Sequence, residues 1–230
     1  MKALFPTSRL RPLSLFLLLL SSVLMSSCVS SINQHGTAQA QSFEMSIAYY
    51  NEDGDSLGHM MNGEQILLLF PSIKGQIFGI PRRPILTEVT VSDNQPFIVE
   101  LPIIKSSDSA VLADTRLTTG LLIQPAQTKM LRVATMAFEK ETRQPFAAGS
   151  LIDAETGDNL ILMYFSKPCS ITGSVKSTGL RYDHDIKIKT AGWHWIAGTQ
   201  PSAGVSRLRA LRGQPNKVEF AITVEGTLSL

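Results

Sequence analysis

Lys217-Val218-Glu219-Phe220-Ala221-Ile222-Thr223-Val224 sets Val218, Phe220, Ile222 and Val224 on one side of an extended chain and Glu219, Ala221 and Thr223 on the other. Period two is the signature of a half-buried β-strand. The same alternation appears around Glu88-Val89-Thr90-Val91 and in Phe97, Val99 and Leu101. Further apolar runs at 43–50, 65–70, 121–124, 131–138, 160–165, 171–175, 185–189 and 193–196 have strand length, and polar clusters such as Asn51-Glu52-Asp53-Gly54 and Ser92-Asp93-Asn94 separate them. Many short strands with regular turn signals predict an all-β, antiparallel β-sandwich. A single stretch reads as helical, because Val205, Leu208 and Leu211 recur every three residues before Gly213.

The chain has 230 residues. Its start is of a different kind. Lys2, Arg9 and Arg11 precede an apolar run over residues 13–24, followed by Met25-Ser26-Ser27-Cys28. This is the layout of a secretory signal peptide. The run is too short to span a bilayer, which takes roughly 20 apolar residues. Small residues placed directly before a cysteine resemble the lipobox of bacterial lipoproteins. The resemblance implies cleavage before Cys28 and acyl chains on its sulfur and amine. By the same resemblance, Val29 in place of Asp implies the outer membrane, with the protein facing the periplasm. The rival cut is after Ala38-Gln39-Ala40, some distance past the apolar core.

The expected organisation is a signal peptide at 1–27, a polar tether at 28–41, a β-rich domain at 42–126 and a β-sandwich domain at 127–230, with 42–230 as one domain the alternative. Removing Lys2, Arg9 and Arg11 takes the formal net charge from +2 to −1. A near-neutral body argues against nucleic acid, which demands a surplus of Lys and Arg. With Cys28 modified, Cys169 has no partner in the chain and reads as a small buried hydrophobe, so no disulfide framework is expected.

A second resemblance lies in Ala148-Gly149-Ser150-Leu151-Ile152-Asp153-Ala154-Glu155-Thr156-Gly157-Asp158-Asn159-Leu160. It is similar to the opening hairpin of transthyretin-like and carboxypeptidase-regulatory domains, and implies a seven-stranded sandwich without implying any chemistry.

Candidate chemistry is sparse. Gly54-Asp55-Ser56-Leu57-Gly58 resembles the nucleophile block of the G-D-S-L esterases, which implies Ser56 as nucleophile and His184 as base. That motif needs a strand-to-helix turn and a D-x-x-H block. Here Arg181 stands three residues before His184, and Ala191 three before His194. A Gly-rich hairpin loop is the preferred reading. A hairpin pairing Thr190 with Trp193 would bury Trp193 and Trp195 beside Ile186 and Ile188, and would set His184 and His194 on opposite faces, unable to share a metal. The acidic loops at 51–55 and 153–158 lack calcium-loop spacing and read as solvated turns. Arg82-Arg83, and Arg207, Arg209 and Arg212 with Lys217, are basic clusters that could meet membrane phosphates.

Together these readings predict a lipid-anchored, non-catalytic accessory or binding module with an envelope protein as partner. They predict no cofactor, no metal and no nucleic acid. A glycan- or lipid-binding module built on Trp193 and Trp195 is the alternative, and the esterase is the minor one.

Overall fold

The computed structural model describes residues 41–58, 64–72, 85–91, 95–105, 112–114, 120–177 and 179–224. Among these every regular element is a strand. In chain order they are β1 (Gln41–Tyr50), β2 (Ser56–Gly58), β3 (Gln65–Pro71), β4 (Thr87–Val91), β5 (Phe97–Leu101), β6 (Ala113–Asp114), β7 (Leu121–Gln124) and β8 (Lys129–Glu139). Then follow β9 (Pro145–Ala148), β10 (Ser150–Asp153), β11 (Asn159–Phe165), β12 (Cys169–Ser177), β13 (Leu180–Ile188), β14 (Gly192–Ser202), β15 (Val205–Ala210) and β16 (Val218–Thr223).

The all-β expectation holds. The strands join into one branched network whose main path runs β2-β1-β16-β10-β11-β14-β15-β13-β12-β7. The network is mixed rather than purely antiparallel: β1 runs parallel to β16 and β13 parallel to β15. It does not close into a barrel. The branch point is β8. Its first residues pair with β11 and its later ones with β3, which in turn carries β4. Pairing crosses residue 127 through β7 with β12 and through β8 with β3, and Ala40–Leu230 form one compact unit.

The alternation read at 217–224 is realised in β16, where Val218, Phe220 and Ile222 are buried. They share the larger core with Met45 and Tyr49 of β1, Leu67 and Leu69 of β3, Leu131 and Val133 of β8, and Leu162 of β11. Phe43 meets Trp195 edge-on at 4.9 Å between ring centres, and Tyr164 meets Trp193 at 5.4 Å. Buried aromatic polar atoms mostly find partners: Tyr164 Oη donates to the Ile104 carbonyl at 2.9 Å and Trp193 Nε1 to that of Pro102 at 3.0 Å.

A smaller core lies on the other face of the β7–β12–β13–β15–β14–β11 region. Ile123, Phe165, Cys169, Ile171, Ile186, Ile188, Ile196 and Leu208 fill it.

Two sequence expectations are corrected. Residues 205–210 form β15, not a helix. The three-residue spacing was real, but Ser206 and Leu208 also alternate with Arg207 and Arg209, and two flanking strands supply hydrogen bonds to the extended form. The hairpin drawn between 185–189 and 193–196 does not form either. The intervening position is occupied by β15, which pairs with β13 on one side and β14 on the other. The tryptophans therefore point into the larger core and the isoleucines into the smaller one. The hairpin expected from 148–160 is present, pairing Leu151 with Leu160 and Ile152 with Asn159.

Gly149 sits where backbones approach closely, since a Cβ there would lie 2.4 Å from the Ala221 carbonyl oxygen. Overpacking of this kind costs roughly 1–3 kcal/mol, and truncating a buried Trp roughly 3–5 kcal/mol. Gly149→Ala and Trp195→Ala are accordingly expected to lower the urea midpoint, Trp195→Ala by the larger amount.

Candidate interaction face

Where β14 ends its coverage of the larger core, the same sheet face continues over β15, β13, β12 and β7 into solvent. The register sets the side chains in rows. Thr199, Arg207, Asp183 and Ser174 form one row across β14, β15, β13 and β12. Arg209, Asp185, Thr172 and Leu122 form the next. Val205, Arg181 and Lys176 form a third. Lys187 stands opposite Ser170 beyond them. Lys176, Arg181, Lys187, Arg207 and Arg209 are all exposed. Leu122, on the same face, is 58% exposed.

Ion pairs cover part of this charge. Arg181 Nε lies 2.7 Å from Asp183 Oδ1, Lys187 Nζ 3.6 Å from Asp185, and Arg209 4.0 Å from Asp158. Among the described residues Lys176 and Arg207 are in no ion pair within bonding distance. The Ser174 hydroxyl donates to Asp183 Oδ1 at 2.6 Å. That bond and the one from Arg181 hold the Asp183 carboxyl below its usual range. Exposed pairs of this sort add little stability. They leave five cations over two carboxylates on the three strands. At the end of the face an open depression of about 520 Å³ is lined by Lys176, Ser177, Gly179, Arg181 and Gly204. The two hairpin tips that frame it are tied by the Arg181 amide donating to the Gly204 carbonyl at 2.8 Å.

The opposite face of these strands packs the smaller core. Cys169 is buried, and burial pushes its thiol up from the ordinary value while Thr128 draws it back. His184 and His194 both lie on this inner face, not on opposite ones, because β13 and β14 are separated by β15. His194 stacks edge-on against Phe165 at 5.9 Å and its Nε2 meets the Thr190 carbonyl at 2.8 Å. His184 Nδ1 meets the Tyr182 carbonyl at 3.2 Å. Partial burial holds both imidazoles below the usual histidine range.

The other residues singled out in the sequence fall apart in space. Ser56 begins β2 and pairs opposite Tyr50, so it sits in a strand and not on a strand-to-helix turn. Seven ladder steps separate β2 from β13, which carries His184. At roughly 4.8 Å per step the path along the sheet is about 34 Å. Trp193 and Trp195 are 8% and 2% exposed, so neither offers a platform. Carboxylates of the acidic loops have partners within the protein: Asp153 Oδ1 accepts from the Glu155 amide at 2.9 Å, Asp55 Oδ2 from Asn51 Nδ2 at 3.2 Å, and Glu155 Oε2 from Asn216 Nδ2 at 3.1 Å. Among the described residues no three His, Cys, Asp or Glu side chains converge as a metal site would require. Of the basic cluster near the end of the chain, Arg207 and Arg209 join the face, whereas Lys217 pairs with Glu219 at 3.4 Å on β16. Cys28, Arg82 and Arg83 lie outside the described residues.

No family model, no curated protein and no solved structure matches the chain.

The histidines make stability depend on pH in a definite direction. Their folded values lie below the unfolded one, so between the ordinary histidine value of 6.5 and the folded values the unfolded chain binds more protons. Their contribution is complete above pH 6.5 and lost as pH falls through that window. The urea midpoint is expected to drop on acidification from pH 7 to 5, and His184→Gln with His194→Gln to flatten that drop.

Proposed function

We propose that this chain is a lipid-anchored envelope lipoprotein whose all-β body is a non-catalytic binding or assembly module. The observation that carries the reading is Met25-Ser26-Ser27-Cys28 at the end of a short apolar run with a basic start. In this reading acyl chains on Cys28 hold the body at a membrane, most readily the outer membrane on its periplasmic side. More than one chain is needed for stable anchoring, and a modified N-terminal cysteine carries a diacyl pair and an amide-linked chain.

The body supports a binding role more than a catalytic one. Ser56 lies in a strand seven ladder steps from the one that carries His184, and the indoles are inside the core. What the body turns outward is polar sheet face and strand edge. Among the described residues β4 pairs only with β3, and β9 only with β8. An edge with free amides and carbonyls is a template for an added strand from an envelope protein.

Thiol counting and mass spectrometry test the anchor together. Cys169 is buried, so the native mature protein is expected to react slowly with a disulfide reagent. The urea-unfolded protein is expected to show one thiol per chain, with an N-terminal peptide that begins at acylated Cys28. Two thiols in urea, or an N-terminus at Gln41, would remove the anchor from the reading.

A further inference from the structure

We propose that the exposed face bearing Lys176, Arg181, Lys187, Arg207 and Arg209 is a docking surface for the phosphate-rich headgroup layer of an anionic membrane. The proposal rests on the lipid-anchored reading and adds to it an orientation for the body.

The argument is one of charge separation. Beyond the leader the chain has a formal net charge of −1. The face carries a surplus of three positive charges over Asp183 and Asp185, or two with Asp158 counted. The remainder of the chain therefore holds a negative excess. Its location is visible along the sheet: residues 41–72 contain Glu44, Glu52, Asp53, Asp55 and Glu64 and no lysine or arginine. Glu44 lies in β1, Glu52, Asp53 and Asp55 in the loop that joins β1 to β2, and Glu64 directly before β3; β1 and β2 lie at the far end of the main strand path from β12. A body polarised in this way, near neutral in total, is turned by a charged plane and not merely attracted to it.

The shape of the face fits a plane. It is built from consecutive rows on adjacent strands, with an open depression only at its Lys176–Arg181 end, so its cations lie side by side on one side of the sheet. Arg guanidinium groups offer forked donors to phosphate oxygens. Exposed Leu122, in the row of Arg209, adds apolar contact at the level where headgroups meet acyl chains. The acidic residues near β1 and β2 lie at the other end of the main strand path, away from the cations of this face. Each basic residue near an anionic surface contributes about fivefold to occupancy.

The test uses the acylated full-length protein in vesicles of phosphatidylcholine alone or mixed with phosphatidylglycerol, exposed to a water-soluble amine reagent. Labelling of Lys176 and Lys187 is expected to slow about fivefold or more on the anionic vesicles. The slowing is expected to vanish in 1 M salt, where screening acts within about 3 Å. Lys140, paired with Glu64 next to β3, is expected to label equally on both. The Arg207→Gln/Arg209→Gln variant should lose most of the protection while keeping the wild-type circular dichroism.

Equal labelling on the two vesicles overturns the proposal. So does slowing of Lys140 in step with Lys176, slowing reproduced by inorganic phosphate without membranes, or protection that appears only when an acidic protein is added. The anchor is read separately by the N-terminal mass spectrum. If that spectrum shows no acyl chains, the anchored reading fails on its own. The face is then judged by sedimentation with the same vesicles, for which binding to the anionic ones alone is the supporting result and no difference the overturning one.

Discussion

The body depends on the eleven residues of β8, which pair with β6 and β11 at their start and with β3 and β9 further on. Met130, Leu131 and Arg132 bond to β11, and Val133 onward bonds to β3. One strand with unbroken alternation thus carries Leu131, Val133 and Ala137 into the larger core while its backbone passes from one set of partners to another. Without that handover, among the described residues, no strand pairing would lead from β3 and β4 to the strands that hold the tryptophans. Through it Leu67 and Leu69 of β3 join the larger core.

Strand identity was largely legible in the chain because burial on one face writes itself as period two. Residues 217–224 are the clearest case, and 97–101 another. Partner choice was not legible. The reading of 185–196 as a hairpin assumed that neighbours in sequence are neighbours in the sheet. In the fold β15 takes the place between them, and that depends on a parallel pairing with no local signal. The same blind spot produced the helix over 205–211. An apolar residue every third position suits a helix, and an alternating Ser206–Arg207–Leu208–Arg209 suits a strand, and only the flanking strands decide.

The candidate face was half visible for a related reason. Arg207 and Arg209 form a cluster in the sequence because only Leu208 separates them. Lys176, Arg181 and Lys187 form none, because the sheet gathers them from β12 and β13. A composition signal was available. No lysine or arginine occurs between Arg11 and Lys74, whereas the stretch from Lys176 to Arg212 is rich in both. Strand order then turns a gradient along the chain into a gradient across the body. The five residues that resemble the esterase block are contiguous, and such a motif needs nothing of the fold to appear.

The parallel pairing of β1 with β16 has a bearing on how such a chain is made. Met45 lies against Val218 and Tyr50 against Thr223. Loop closure over so long a separation comes late in folding. A polypeptide that leaves a ribosome or a translocation pore from its amino end displays β1 long before its mate exists. The larger core, in which β1 and β16 both take part, stays unfinished until the final strand has arrived. Emergence of the chain and the acquisition of its compact shape are thereby kept apart in time, with strand order as the clock.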